Sequence, residues 1–280
     1  MLGTDAVPIL SRQFEIIAPP EEQFDITDLD TVMTTICKGK FDIVLHMAAL
    51  TDLDWCEDNP DRARLVNTEG TKNIALACAK AGCRMAYIST SGIFSGRMGR
   101  PYTEEDNPKP ANVYGMSKHE AEIVIQESIQ EENWLILRVG WLFGGGKKDK
   151  KFVGKMFQLM MTTSKVMAVA DIWGSPNYSV DIGYLLENMF LHKIHGLFHI
   201  ANTGEPASRY DMALAIRDSA QLPVEIEAVP SSRFPTRAFR PPMEAIKSVR
   251  LINTMQYTMR NWRDALDEYI KRLAKINAAD

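Results

Sequence analysis

Between residues 14 and 200 the chain alternates short apolar runs with longer amphipathic segments, and this alternation restricts the fold more than any single motif. The runs at 14–18, 43–47, 85–89, 134–139 and 197–200 read as strands. Those at 29–38, 62–81, 113–130, 152–162 and 182–192 read as helices. Strands that alternate with helices form a parallel sheet covered on both faces, so the expected class is α/β with a doubly wound parallel sheet. After Ala201 the pattern loosens into a helix at 208–220, a proline-rich stretch at 230–242 and an amphipathic terminal helix at 257–276. That tail is expected to form a smaller C-terminal lobe.

With 280 residues and 45% hydrophobic content, the chain can build one large core or a core plus a lesser one. Its net charge of -4 and its scattered basic residues give no footprint for nucleic acid or a membrane surface. No apolar stretch reaches the ~18 residues of a membrane span. The cysteines at 37, 56, 78 and 83 follow no metal-ligand or redox spacing, and no basic, apolar leader precedes them. They read as reduced thiols of a cytoplasmic protein, and no metal is expected. The 15 methionines read as core filling.

The chemistry centres on Tyr114 and Lys118 in the run Asn112-Val113-Tyr114-Gly115-Met116-Ser117-Lys118. Four-residue spacing puts both on one helix face, where an ammonium beside a phenol favours proton exchange with a carbonyl oxygen. On a surface helix the same spacing is a solvated pair, so context decides. Upstream, an apolar strand ends in Ser89-Thr90-Ser91-Gly92. A hydroxyl at a strand's carboxyl end, then a tyrosine, then a lysine one turn further make a ketone-binding constellation, located where loops of such sheets converge.

In order, the chain carries Phe24-Asp25-Ile26-Thr27-Asp28, Met47-Ala48-Ala49-Leu50-Thr51, Asn67-Thr68-Glu69-Gly70-Thr71-Lys72-Asn73, Ile88-Ser89-Thr90, the Tyr114/Lys118 pair, Leu137-Arg138-Val139-Gly140-Trp141-Leu142-Phe143-Gly144, Gly174-Ser175-Pro176-Asn177-Tyr178 with Asp181, and Arg240-Pro241. By these pieces it resembles the dTDP-4-dehydrorhamnose reductase family of the extended short-chain dehydrogenase/reductase superfamily, over nearly its whole length. The resemblance implies a Rossmann-like sheet. It assigns 1–145 with 178–202 to a dinucleotide-binding domain, and 146–177 with 203–280 to a substrate-binding lobe. It implies NADPH or NADH as cofactor and a dTDP-sugar as substrate.

By the same resemblance, Tyr114 protonates the C4 ketone oxygen, Thr90 holds that oxygen, and Lys118 lowers the tyrosine pKa and binds the nicotinamide ribose. Gly3, Asp25, Ile26, Met47, Ala48 and Ala49 are expected along the cofactor, and Ser91, Trp141 and Arg240 at the substrate. Simpler readings stand beside these. Asn67 serves as a structural bridge, Asp181 as a helix cap, Arg240 as a lobe-to-lobe ion pair, and Trp141 as packing. The lysines of Lys147-Lys148-Asp149-Lys150-Lys151 sit either in a solvated loop or on a diphosphate.

Two departures stand out. Members of the family open with a first strand and a glycine-rich turn, of which only Met1-Leu2-Gly3 matches the end. The expectation is a start assigned at an internal methionine; the competing one is a true truncation that binds dinucleotide poorly. A chain beginning at Met1 is expected to be unstable or weakly active. Second, the family's aspartate and aromatic residue after the catalytic threonine are here Ser91 and Gly92, which loosens the sugar assignment. The expected reaction is NAD(P)H-dependent reduction of dTDP-4-dehydro-L-rhamnose to dTDP-L-rhamnose. The alternatives are a nucleotide-sugar epimerase or dehydratase, and a non-catalytic NADP-binding regulatory subunit. A homodimer is compatible with the surface helices but demanded by none.

Overall fold

Runs of Val, Ile, Leu and aromatic residues too apolar to show one face to water become the inner strands of a parallel sheet. The computed structural model describes residues 1–278. Its strands are β1 (Ile43–His46), β2 (Arg84–Thr90), β3 (Trp134–Val139), β4 (Trp141–Phe143), β5 (Lys165–Val169), β6 (Trp173–Gly174), β7 (Pro176–Tyr178), β8 (Gly196–Ile200), β9 (Ala207–Ser208) and β10 (Glu225–Val229). The main sheet has the order β1-β2-β3-β8, all parallel, with Leu45 opposite Ala86 and Ile136 opposite both Tyr87 and Leu197. Every residue of β3 is buried.

The helices are α1 (Leu2–Leu10), α2 (Leu29–Gly39), α3 (Leu53–Asp58), α4 (Pro60–Arg64), α5 (Gly70–Ala81), α6 (Val113–Ser128), α7 (Phe152–Met160), α8 (Ser179–Leu191), α9 (Arg209–Ala220), α10 (Val249–Met255) and α11 (Trp262–Ala278). Asp28 caps α2 by accepting from the amides of Asp30 and Thr31, and Ser208 caps α9 in a reciprocal pair with Asp211. One sheet face packs on α1 and α8 through Leu2, Ala6, Leu10, Leu137, Ile182 and Leu186. The other packs on α2, α5 and α6 through Val32, Ile36, Ile74, Ile125 and Ile136. A separate core of Phe143, Phe157, Tyr178, Leu266, Tyr269 and Ile270 gathers α7, α9 and α11. Helices on both faces of a parallel sheet are the α/β class that the alternation of runs predicts.

Four local expectations need correction. Residues 14–18 form no strand: among the described residues no strand pairs with them to make a ladder, Phe14 packs instead on Phe190, and Ile17 is 65% exposed. The single helix expected at 62–81 is broken into α4, a π-helical turn at Leu65–Glu69 and α5. Asp181 lies in the first turn of α8 but does not cap it: its carboxylate takes Arg260 Nε at 3.0 Å and Asn202 Nδ2 at 2.7 Å. The terminal helix begins at Trp262, not at Tyr257.

Candidate active site

Tyr114 stands in the first turn of α6, and that turn is fixed from two sides. Asn112 Oδ1 accepts from Gly115 N at 2.8 Å, while its Nδ2 donates to Phe239 O at 2.9 Å. Gly115 lets α6 lie directly on the turn that follows β2, since a Cβ there would fall 2.3 Å from Gly92 O. At the end of β2, Thr90 Oγ1 accepts from Gly92 N at 3.0 Å. A Cβ on Gly92 would lie 3.3 Å from Thr90 Oγ1 and 3.6 Å from Tyr114 Cε1, so this glycine sits against both hydroxyl-bearing residues. Burial pushes the Tyr114 phenol up to about 12; a hydrogen bond from Thr90 offsets part of this, and the charges of Cys56 and Glu244 add to it.

Lys118 lies one turn further on and is 2% exposed. Its Nζ donates to Ile88 O at 2.8 Å and stands 4.0 Å above the Tyr87 ring. Burial lowers the ammonium to about 7, against a partial opposing pull from Glu122.

A buried network holds these elements together. Arg138 on β3 grips Glu122 of α6 in a fork, Nε to Oε1 at 3.0 Å and Nη2 to Oε2 at 2.7 Å, and Ser89 Oγ donates to the same carboxylate. Burial works to raise the Glu122 carboxyl, but His119, Arg138 and Ser89 together hold it at about 2. Asn67, in the π-helical turn, donates to Leu50 O at 3.0 Å and to Ser117 Oγ at 3.0 Å, and accepts from Leu50 N at 2.8 Å. It is the bridge its simpler reading describes, tying the loop after β1 to α6. A π-helical turn at such a place is a recurrent feature of functional sites.

On the side expected to take a dinucleotide, a Cβ on Gly3 would lie 3.4 Å from Met47 Cε, which sets the first turn of α1 beside the carboxyl end of β1. No side chain caps that turn. Ala48 is exposed, and Met47 and Ala49 are half-buried. Asp25 folds back on its own loop, accepting from Thr27 N and Thr27 Oγ1, both at 2.8 Å. The Ile26 side chain is buried, and its carbonyl accepts from Asn73 Nδ2 at 3.0 Å.

On the opposite side, Ser91 is buried at the start of the turn after β2. Trp141 donates its indole N–H to Glu244 Oε2 at 2.8 Å and carries the Arg209 guanidinium 3.9 Å above its ring. Arg240 pairs with Asp54 at 3.0 Å, so its guanidinium is engaged in an ion pair. In the lysine run, Lys151 Nζ donates to Thr51 Oγ1 at 3.2 Å, and Lys148 and Lys150 are exposed. Among the described residues no cluster of His, Cys, Asp or Glu is arranged to hold a metal, the four cysteines are free, and no helix is long and apolar enough to cross a membrane.

The RmlD substrate binding domain family model matches residues 1–275. The chain belongs to the dTDP-4-dehydrorhamnose reductase family. A dTDP-4-dehydrorhamnose reductase of Mycolicibacterium smegmatis is 34% identical over 259 residues, covering 91% of this chain and 77% of its own. The crystal structure of the Yersinia enterocolitica dTDP-4-dehydrorhamnose reductase superposes with a TM-score of 0.92 at 32% identity, covering 98% of this chain and 96% of its own. The Bacillus anthracis dTDP-4-dehydrorhamnose reductase in complex with NADP gives 0.89 at 28%, covering 96% and 97%. This family's Rossmann-like architecture is the one seen here.

Two residues around Trp141 escaped the sequence reading, Glu244 and Arg209. Glu244 follows the proline-rich stretch, outside any periodic segment, and Arg209 stands in the first turn of a helix that shows no functional motif. Their place there comes from long-range contacts with Trp141, which local sequence does not announce.

Proposed function

We propose that the chain reduces the C4 ketone of a nucleotide-linked 6-deoxy sugar, dTDP-4-dehydro-L-rhamnose giving dTDP-L-rhamnose, with NADPH or NADH as reductant. The observation that carries this reading is the convergence of Thr90, Tyr114 and Lys118 at the carboxyl end of a parallel sheet, in a member of a reductase family. Residues 1–145 with 178–202 serve the dinucleotide and the remainder serves the sugar nucleotide.

The residues present fit a dinucleotide. Gly3 and Ala48 leave backbone open beside the uncapped first turn of α1, where free amides favour a phosphate group. Bound there, the reduced nicotinamide supplies a hydride. The protein's part is position and a proton. Tyr114, a phenol that is protonated at pH 7, has a proton to give to the ketone oxygen. Thr90, already in contact with that phenol, orients it and donates to the same oxygen. Lys118, fixed to Ile88 O, binds the ribose hydroxyls and returns a proton toward Tyr114.

The test is oxidation of NADPH by the purified chain with dTDP-4-dehydro-L-rhamnose, with the product identified. Stoichiometric cofactor consumption and formation of dTDP-L-rhamnose support the reading. Product formed without net cofactor consumption assigns the site to an epimerase or dehydratase. Cofactor binding without turnover of any keto sugar assigns it to a regulatory subunit.

A further inference from the structure

Glu244 is a buried carboxylate that no established feature of the site uses. It is 9% exposed, and its Oε2 accepts from Trp141 Nε1 at 2.8 Å. Among the described residues its Oε1 takes no hydrogen bond and the carboxylate forms no ion pair. A buried carboxylate lacking an ion pair is costly, and half-satisfied it invites a donor. Its backbone is held from one side and its neighbours from the other. Glu244 N donates to Trp173 O at 2.7 Å, Tyr102 N donates to Ala245 O at 2.8 Å, and Ser175 Oγ bonds Ile246. The carboxylate is thus fixed on a braced, extended segment rather than a free loop.

Two contacts place this group beside the candidate site: its bond to Trp141, a residue expected at the substrate, and the carbonyl of Phe239, five residues earlier, which holds the Asn112 cap of the Tyr114 helix. Its charge acts on Tyr114, and Arg209 and Arg240 act on it. Burial raises the Glu244 carboxyl, while Trp141 and the two arginines draw it back. The end of β2 offers no competing acid, since Ser91 is buried and Gly92 has no side chain; Asp54 is committed to Arg240. Arg209 meanwhile stacks between Trp141 at 3.9 Å and Phe152 at 4.9 Å and forms no direct ion pair among the described residues, so it acts on Glu244 through its field and leaves the carboxylate oxygen free to accept.

Resting on the reductase reading of this cleft, we propose that Glu244 is the sugar-specificity residue: its free Oε1 accepts a hydrogen bond from a ring hydroxyl of the nucleotide-linked sugar while Trp141 fixes the other oxygen. A ring hydroxyl is the donor that a buried, acceptor-only carboxylate selects on a sugar. A sugar without that hydroxyl leaves the carboxylate desolvated and unpartnered.

The test is a cycle of protein and ligand changes. Binding of dTDP-L-rhamnose, its 2-deoxy and 3-deoxy forms, and dTDP alone is measured by calorimetry on wild type, Glu244→Leu and Glu244→Gln, with thermal unfolding as the check on folding. Wild type should bind one of the two deoxy sugars roughly 10- to 100-fold more weakly than the parent, the range for a hydrogen bond to a charged group. In Glu244→Leu that discrimination should vanish while affinity for dTDP holds. Equal discrimination in wild type and variant overturns the proposal. If Glu244→Leu fails to fold, Glu244→Gln decides: it should narrow the discrimination, and an unchanged ratio refutes the role. Wild type that oxidises NADPH with the keto sugar yet shows a flat cycle removes this inference alone. Wild type that neither turns over nor prefers the dTDP-sugar to dTDP removes the reductase reading with it.

Discussion

Replacing Lys118 with methionine should alter stability in a way that tracks pH, because the folded protein holds this ammonium far below its ordinary range. The shift from 10.5 to about 7 arises from burial, which disfavours the charged form. Below pH 7 both folded and unfolded chains carry the proton, and the folded state bears the whole penalty. Between pH 7 and 10.5 the unfolded chain keeps a proton that the folded chain has released, so wild-type stability gains with pH from this group. At about 1.4 kcal/mol per pH unit, the full span corresponds to about 5 kcal/mol. Methionine matches the stem in length, has no charge and lacks this term. The variant's stability relative to wild type should therefore be greatest at pH 6–7 and decline by about 3 kcal/mol by pH 9.5. Lost contacts to Ile88 O and to the Tyr87 ring shift the whole curve without adding that slope. Urea unfolding of both proteins without cofactor, followed by tryptophan fluorescence at pH 6, 7, 8, 9 and 9.5, measures the difference directly. The other titrating groups are common to both proteins, and the two coupled to Lys118, His46 at about 3 and Glu122 at about 2, titrate in the fold below this pH range. A difference that stays flat from pH 7 to 9.5 would refute the buried-ammonium argument, whatever the variant's activity.

Three other outcomes follow from the same geometry. Tyr114→Phe should cut reductase turnover by about 10²- to 10⁴-fold; its urea midpoint should stay near wild type, and activity within threefold of wild type would remove Tyr114 as proton donor. Arg138→Leu leaves the Glu122 carboxylate buried without its guanidinium and should cost about 3–5 kcal/mol in urea unfolding; a loss below about 1 kcal/mol would show that Glu122 finds another partner. Gly115→Ala forces a methyl to within 2.3 Å of Gly92 O, a backbone atom that has little room to yield, and should depress turnover by displacing Tyr114 from Thr90. A variant with normal kcat and KM would show that α6 can shift without disturbing the pair.

The parts of this molecule that were legible in the sequence are those where local pattern and final environment agree. Residues 134–139 are an unbroken apolar run and become a strand buried throughout. Asn112, Ser208 and Asp28 are helix-starting residue types, and each makes the cap its type favours. The Tyr114 and Lys118 spacing could be read because both sit on one helix. Residues 14–18 have the composition of a strand, but a strand exists only as part of a pair, and composition cannot report whether a neighbour lies alongside. The π-helical turn at Leu65–Glu69 was hidden because one widened turn barely disturbs the periodicity of the helix around it. Asp181 carried the right residue type for a cap, yet Arg260 from the chain's far end offered its carboxylate a stronger charge-assisted bond.

The network behind the active site explains why Lys118 remains close to neutrality instead of finding an ion pair. Glu122 lies one turn beyond it on α6, a spacing at which a lysine and a glutamate commonly pair. Both carboxylate oxygens of Glu122 are already bonded, Oε1 by Arg138 Nε and Ser89, and Oε2 by Arg138 Nη2. With those lone pairs engaged and the side chain locked to β3, Glu122 acts on Lys118 only through its field. That field opposes burial but does not overcome it. The guanidinium of Arg138 thus does two things at once: it joins β3 to α6, and it withholds from Lys118 the carboxylate that would otherwise fix it as a permanent cation. An ammonium titrating near 7 can exchange protons with a neighbouring phenol at physiological pH, which a lysine locked to a carboxylate cannot do. A buried ion pair of doubtful value to stability alone makes sense here as the device that tunes the residue beside it.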